Sequence, residues 1–287
     1  MLCYDTRTRE WSIGPKMNTF TYRKQHTCVS VKNKVYALGG TDYSALDSIE
    51  VLDLSLPRPS WRILPQRLKK KRIGCQAVVD PKNPNNIIVV GGSNYKGKYL
   101  RSCEVVSLQE RQEEQTRTIP SLMTPRCGHA MVLVESRFLV VMGGSNKINE
   151  HLASVEVLDL DEDPEEQEWR SLPPMRTVRS RFAAFYSPRN HKIVVAGGVD
   201  DRNKVLDTME EMEVKVELLP LPNGPRWQQL PGPPPFAEMP AGFMDAAHQT
   251  KIERWLEECD KQMAAFLSNV DEQDKEWPRQ GRRMKRL

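Results

Sequence analysis

The 287-residue chain is expected to fold as an all-β protein built from a tandem repeat, and three observations carry that expectation. Short apolar runs end in a glycine pair four times, as VYALGG (35–40), IIVVGG (87–92), LVVMGG (139–144) and IVVAGG (193–198). The pairs at 39–40, 91–92, 143–144 and 197–198 are 52, 52 and 54 residues apart, and a period of about 50 is that of a propeller blade. Other residues keep the same phase. Each pair is followed by Leu, any residue, Ser or Thr, any residue, Glu: Leu46/Ser48/Glu50, Leu100/Ser102/Glu104, Leu152/Ser154/Glu156 and Leu206/Thr208/Glu210.

Each period resolves into four short strands, a to d. Strand a follows an arginine, in Arg23-Lys-Gln-His26, Arg72-Ile-Gly-Cys75, Arg126-Cys-Gly-His129 and Arg179-Ser-Arg-Phe182. The turn-rich joints VKNK, DPKNPNN, ESR and SPRNH part it from strand b. Strand b is apolar without alternation, as a strand covered on both faces should be. It must stop at the diglycine, where glycine allows positive φ and close backbone approach at little steric cost. Strand c carries the Glu, and with the Ser it is expected to satisfy backbone donors of the adjacent turn. Strand d opens with Trp61, Trp169 or Trp227, a large apolar surface for the next layer. In the second copy, TRTIP (116–120), Arg117 is read at the tryptophan position. Residues 1–15 echo strands c and d alone, a half blade.

The diglycine, with a tryptophan about twenty residues further on, resembles the kelch repeat. Tyr43 and Tyr95 fit the family's aromatic position loosely. The resemblance covers residues 1–231 and implies a kelch-type β-propeller of four full blades plus an N-terminal half blade. Family rings close with more blades, so an imperfectly closed ring is expected.

A Pro-rich linker is expected over 232–249. Thr250 and Glu253 form a capping box, and Ile252, Leu256, Cys259, Met263, Phe266 and Val270 make an apolar seam. An amphipathic C-terminal α-helix is therefore expected over 250–277, ended by Pro278, with a basic tail at 278–287. So short a helix is marginal in water and needs a surface. It either packs on the propeller, docks a partner or self-associates.

The net charge of +4 is too weak to point to nucleic acid, and no apolar run reaches membrane-spanning length. No secretory leader is read at the N-terminus, and six scattered cysteines form no zinc pattern. Reduced thiols in the cytoplasm are expected, or in the nucleus if RLKKKR (67–72) or RQGRRMKRL (279–287) acts as an import signal. Some kelch proteins are enzymes, among them galactose-oxidase-like copper oxidases and mutarotases. Here His26 and His129 fall in repeat phase, as scaffold residues do, and Glu210 and Glu211 point to opposite faces of a strand. No catalytic residue, metal or cofactor is therefore expected. The resemblance implies a protein-binding scaffold or adaptor, with an actin-binding structural protein as the other nonenzymatic reading. Because strands alternate in direction, the b–c and d–a loops share one face. The family often docks acidic peptide motifs there through Arg and Tyr, which nominates Arg23, Tyr43, Arg72, Tyr95, Arg126 and Arg179 as partner-binding residues. The arginines have a second reading, as braces within the blade.

Overall fold

The structure, a computed structural model, describes residues 2–5, 7–8, 10–18, 23–94, 97–109, 116–147, 150–214 and 226–230. The chain divides into Met1–Pro231 and Gly232–Leu287. The linker, helix and basic tail expected from the sequence lie outside the described residues.

Every regular element described is a strand. After β1 (Leu2–Asp5) and β2 (Glu10–Ile13) come four sheets in chain order. The first holds β3 (Thr27–Val31), β4 (Lys34–Leu38), β5 (Ser48–Asp53) and β6 (Trp61–Arg67). The second holds β7 (Gln76–Val79), β8 (Asn86–Val90), β9 (Cys103–Ser107) and β10 (Thr116–Ile119). The third holds β11 (Ala130–Val134), β12 (Phe138–Met142), β15 (Val155–Asp159) and β16 (Arg170–Leu172), with the small hairpin β13 (Ser145–Lys147) and β14 (Glu150–His151) inserted after β12. The fourth holds β17 (Ala183–Ser187), β18 (Lys192–Ala196), β19 (Met209–Glu213) and β20 (Gln228–Leu230). Each is an antiparallel meander, the blade that the repeat predicts.

The diglycine strands β4, β8, β12 and β18 are each flanked on both sides, so their backbones are fully laddered. Their side chains alternate between neighbouring blades, which explains the unbroken apolar run. Leu139 and Val141 pack back onto Ile88, Val90 and Val105 of the second blade. Val140 and Met142 pack forward onto Ile193, Val195 and Trp227 of the fourth. Each such fully buried aliphatic side chain contributes about 1.5–3 kcal/mol. Trp169 and Trp227 reach back as well, their indole N–H groups donating to Pro120 O (2.9 Å) and Pro173 O (3.0 Å) one blade earlier.

Strand register corrects one assignment. Thr116 faces Val106 as Trp61 faces Leu52, while exposed Arg117 faces Val105 as Arg62 faces Val51. The tryptophan position in the second blade is therefore Thr116, not Arg117. Its hydroxyl donates to Arg67 O across the blade boundary (2.9 Å), in the manner of the indoles.

Residues 2–13 form the expected half blade, an antiparallel hairpin pairing Leu2 with Ile13 and Tyr4 with Trp11. Met17, just beyond it, packs on Ala37, Leu52 and Trp61 of the first blade. Trp11 is 68% exposed where its in-phase counterpart Trp61 is 4% exposed. All residues after Leu230 lie outside the described residues.

Candidate functional site

The arginine before each strand a, the first glycine, the Ser/Thr and the Glu form one buried unit, built four times. In the third blade the Arg126 guanidinium donates to Gly143 O (2.8 Å), Ser154 O (3.1 Å), Ser154 Oγ (3.0 Å) and Glu156 Oε1 (2.5 Å). Glu156 also accepts the Met123 and Thr124 backbone N–H groups at 2.7 and 3.1 Å. Arg179 repeats this on Gly197 O, Thr208 and Glu210. Arg23 and Arg72 do so on Gly39 O, Ser48 and Glu50, and on Gly91 O, Ser102 and Glu104. The glutamates thus satisfy loop donors as expected, here of the loop entering the same blade.

This geometry corrects the nomination of the arginines as partner-binding residues. Arg23, Arg72, Arg126 and Arg179 are 8%, 1%, 0% and 0% exposed, and their hydrogen bonds are spent on their own blades. The bracing reading holds. A guanidinium can be buried here because a carboxylate and three fixed acceptors surround it. Of the tyrosines, Tyr43 stands on the b–c loop of the first blade, 70% exposed and at φ 146°. Tyr95 lies outside the described residues.

The face itself is well built. Each b–c loop is a small hairpin closed at its base, between Thr41 and Ala45, Ser93 and Tyr99, Ser145 and His151, and Val199 and Val205. Each base is also bridged to the residue after the arginine, pairing Thr41 with Lys24, Ser93 with Ile73, Ser145 with Cys127 and Val199 with Ser180. One residue further along, the blades join by backbone hydrogen bonds. Gly74 N donates to Gln25 O (2.9 Å), Gly128 N to Gly74 O (2.9 Å) and Arg181 N to Gly128 O (2.7 Å). All four residues of this arc have φ of 54–62°. Glycine suits that conformation, and a Cβ on Gly74 would stand 2.6 Å from Cys127 Sγ.

Arg181 occupies a glycine-like position with an exposed side chain, and sequence reasoning missed it. The available signal was the RSRF stretch, where Arg181 stands in the phase of Gly74 and Gly128. Arg181 lies close enough to Tyr99 and Cys127 to act on them electrostatically. Burial raises the Tyr99 phenol, with Cys127 adding to the rise and Arg181 opposing it. Burial likewise raises the Cys127 thiol, while its contact with Ser93 Oγ (3.5 Å) opposes that.

The histidines do not converge. His129 is 1% exposed beneath Gly91 and Gly144, and burial, with Arg126 and Arg72 nearby, lowers its imidazole to about 3. His26 is lowered for the same first reason. His151 Nδ1 is 3.0 Å from Val199 O. His248 lies outside the described residues. Among the described residues no group of three His, Cys, Asp or Glu side chains is placed to hold a metal ion.

Because His129 is held neutral, the unfolded chain binds its proton first. The stabilisation is complete above the unfolded value of about 6.5 and is lost as pH falls from there towards the folded value. Lowering pH from 7 to 5 is expected to cost about 2 kcal/mol from this group alone, read as a shift in the urea midpoint. His129→Phe, which installs the residue found at the equivalent position 182, should flatten that dependence.

Residues 25–217 match the KLHDC2/KLHL20/DRC7 Kelch-repeats domain. Among individual proteins, the acyl-CoA-binding domain-containing protein 5 of Arabidopsis thaliana is 25% identical over 143 residues, which is 49% of this chain and 21% of that protein. The aligned part of the chain thus spans about a fifth of that relative. Since the domain match covers well over half of the sequence and the blades carry its repeat in three dimensions, the chain belongs to the kelch-repeat family.

Proposed function

We propose that this protein is a noncatalytic interaction scaffold or adaptor that docks an acidic segment of a partner protein on the face formed by its b–c and d–a loops. Kelch repeats generally mediate protein–protein interaction, and kelch domains of this type are typically non-enzymatic. One observation carries the finer reading. The Arg, Ser/Thr and Glu that recur in every blade are consumed inside the blades, so the exposed chemistry of the face belongs to residues outside that set, above all Tyr43 and Arg181. An exposed aromatic and an exposed arginine are the residue types that anchor interfaces. The expected setting is the cytoplasm or nucleus. In the same reading the expected tail helix supplies a second docking or self-association element.

The test is an array of acid-rich peptides followed by fluorescence titration of the best binder. Tyr43→Ala with Arg181→Ala is expected to weaken binding about tenfold or more, with an unchanged unfolding midpoint. Unchanged affinity in a folded double variant would overturn the reading.

A further inference from the structure

The second blade carries a patch that the repeat does not require. Lys69, Lys70 and Lys71, in the loop entering that blade, are all exposed. In the next two blades the residues in phase with Lys70 and Lys71 are Thr124-Pro125 and Thr177-Val178, so the fold asks for no charge there. The loop is nonetheless held firmly. The Lys69 backbone N–H donates to buried Glu104 (2.6 Å), and Ile73 pairs with Ser93 at the base of the neighbouring b–c loop. That second loop brings exposed Lys98, folded against Asn94 through backbone and side-chain bonds of 3.0 Å. Exposed Arg101 follows it, with Nε donating to Leu122 O.

Among the described residues the patch is uncompensated. Stretches 66–74 and 93–103 contain no Asp or Glu. Arg67 faces Asp47 at 3.7 Å and Arg72 is buried against Glu104, but among the described residues Lys69, Lys70, Lys71 and Lys98 have no carboxylate within ion-pair distance. The other blades carry carboxylates on this face. The first has Asp42 and Asp47, the third pairs Lys147 with Glu150 at 3.0 Å, and the fourth sets Asp200, Asp201 and Asp207 among Arg202 and Lys204. Like charges gathered on a rigid base repel one another, which disfavours the isolated fold and favours an anionic partner.

We infer that the lysine patch at the entry to the second blade is a contact site for a run of carboxylates in a partner protein. It steers that segment onto the loop face and holds it by screened charge pairing. Lysines act here as mobile point charges, suited to a carboxylate run without a fixed bidentate geometry. The inference rests on the reading of this face as the docking surface.

The experiment uses the full chain and a fluorescein-labelled decaglutamate peptide, titrated at low and physiological salt. The quadruple variant Lys69→Gln, Lys70→Gln, Lys71→Gln, Lys98→Gln is expected to bind about tenfold more weakly at low salt and to lose most of its salt dependence. A control removes equal charge from the opposite end, at Lys32, Arg58, Lys82 and Arg189, and should bind as the unmodified chain does. Equal losses in both variants, or no low-salt binding by the unmodified chain, would overturn the inference. So would tighter binding of a phosphoserine peptide or short duplex DNA of matched charge. The Tyr43→Ala/Arg181→Ala protein separates the two claims. If it retains decaglutamate binding, the patch stands even where the proposed Tyr43 and Arg181 contacts fail.

Discussion

Arg126→Met should destabilise the propeller by about 3–5 kcal/mol, the range for breaking a buried ion pair from one side. The cost comes less from the lost attraction than from what remains. Glu156, 2% exposed, is left without its guanidinium partner, the carbonyl of Gly143 loses the guanidinium donor, and that of Ser154 keeps only the Gly143 N–H (3.0 Å), in a site from which water is excluded. Methionine matches the length of the side chain, so a cavity adds little. Changing Glu156→Met as well removes the stranded charge but orphans the Met123 and Thr124 N–H groups, so recovery should be partial. Urea unfolding of the two variants beside the parent checks this. A midpoint for Arg126→Met within error of the parent would mean that Arg126 is not buried as described. Peptide affinity, measured where the variant is still folded, should be unchanged, because no part of the guanidinium reaches the loop face.

That contrast marks how far the sequence could be read. The blade was legible because its demands are local and repeated: a diglycine that ends a strand covered on both faces, a Glu serving loop donors, a Trp reaching back one layer. The role of the arginines stayed open because spacing does not reveal burial. Arg126 and Arg181 both precede or begin strand a, yet one is walled in by Gly143, Ser154 and Glu156 while the other projects from the arc. Thr116 was misplaced by one residue because a threonine gives no aromatic landmark, and only pairing with Val106 fixes its phase. The functional residues were the hardest to see for the same reason that the fold was easy. A repeat announces what it repeats, and the loop face is made of exceptions to it.

Gly143→Ala should cost about 3 kcal/mol or more, and the equivalent Gly197→Ala only about 1 kcal/mol. Both glycines hold positive φ, at 58° and 68°, so both substitutions carry the same penalty for placing an L side chain there. They differ in what the new methyl meets. At Gly143 it would stand 2.6 Å from Arg179 O and 2.7 Å from Phe182 Cε1, both in the next blade, with the Met175 methyl at 3.0 Å. The carbonyl cannot yield, because it also accepts the Gly144 N–H at 2.9 Å. At Gly197 the nearest atom among the described residues is Leu206 O, at 3.7 Å. The difference between the two urea midpoints therefore measures the contact of one blade with the next, free of the backbone term. It also probes the seam that follows the fourth blade. If Gly197→Ala proves as costly as Gly143→Ala, a further layer covers that edge in solution and the ring is closed there; if it stays near 1 kcal/mol, the edge stands open at this position.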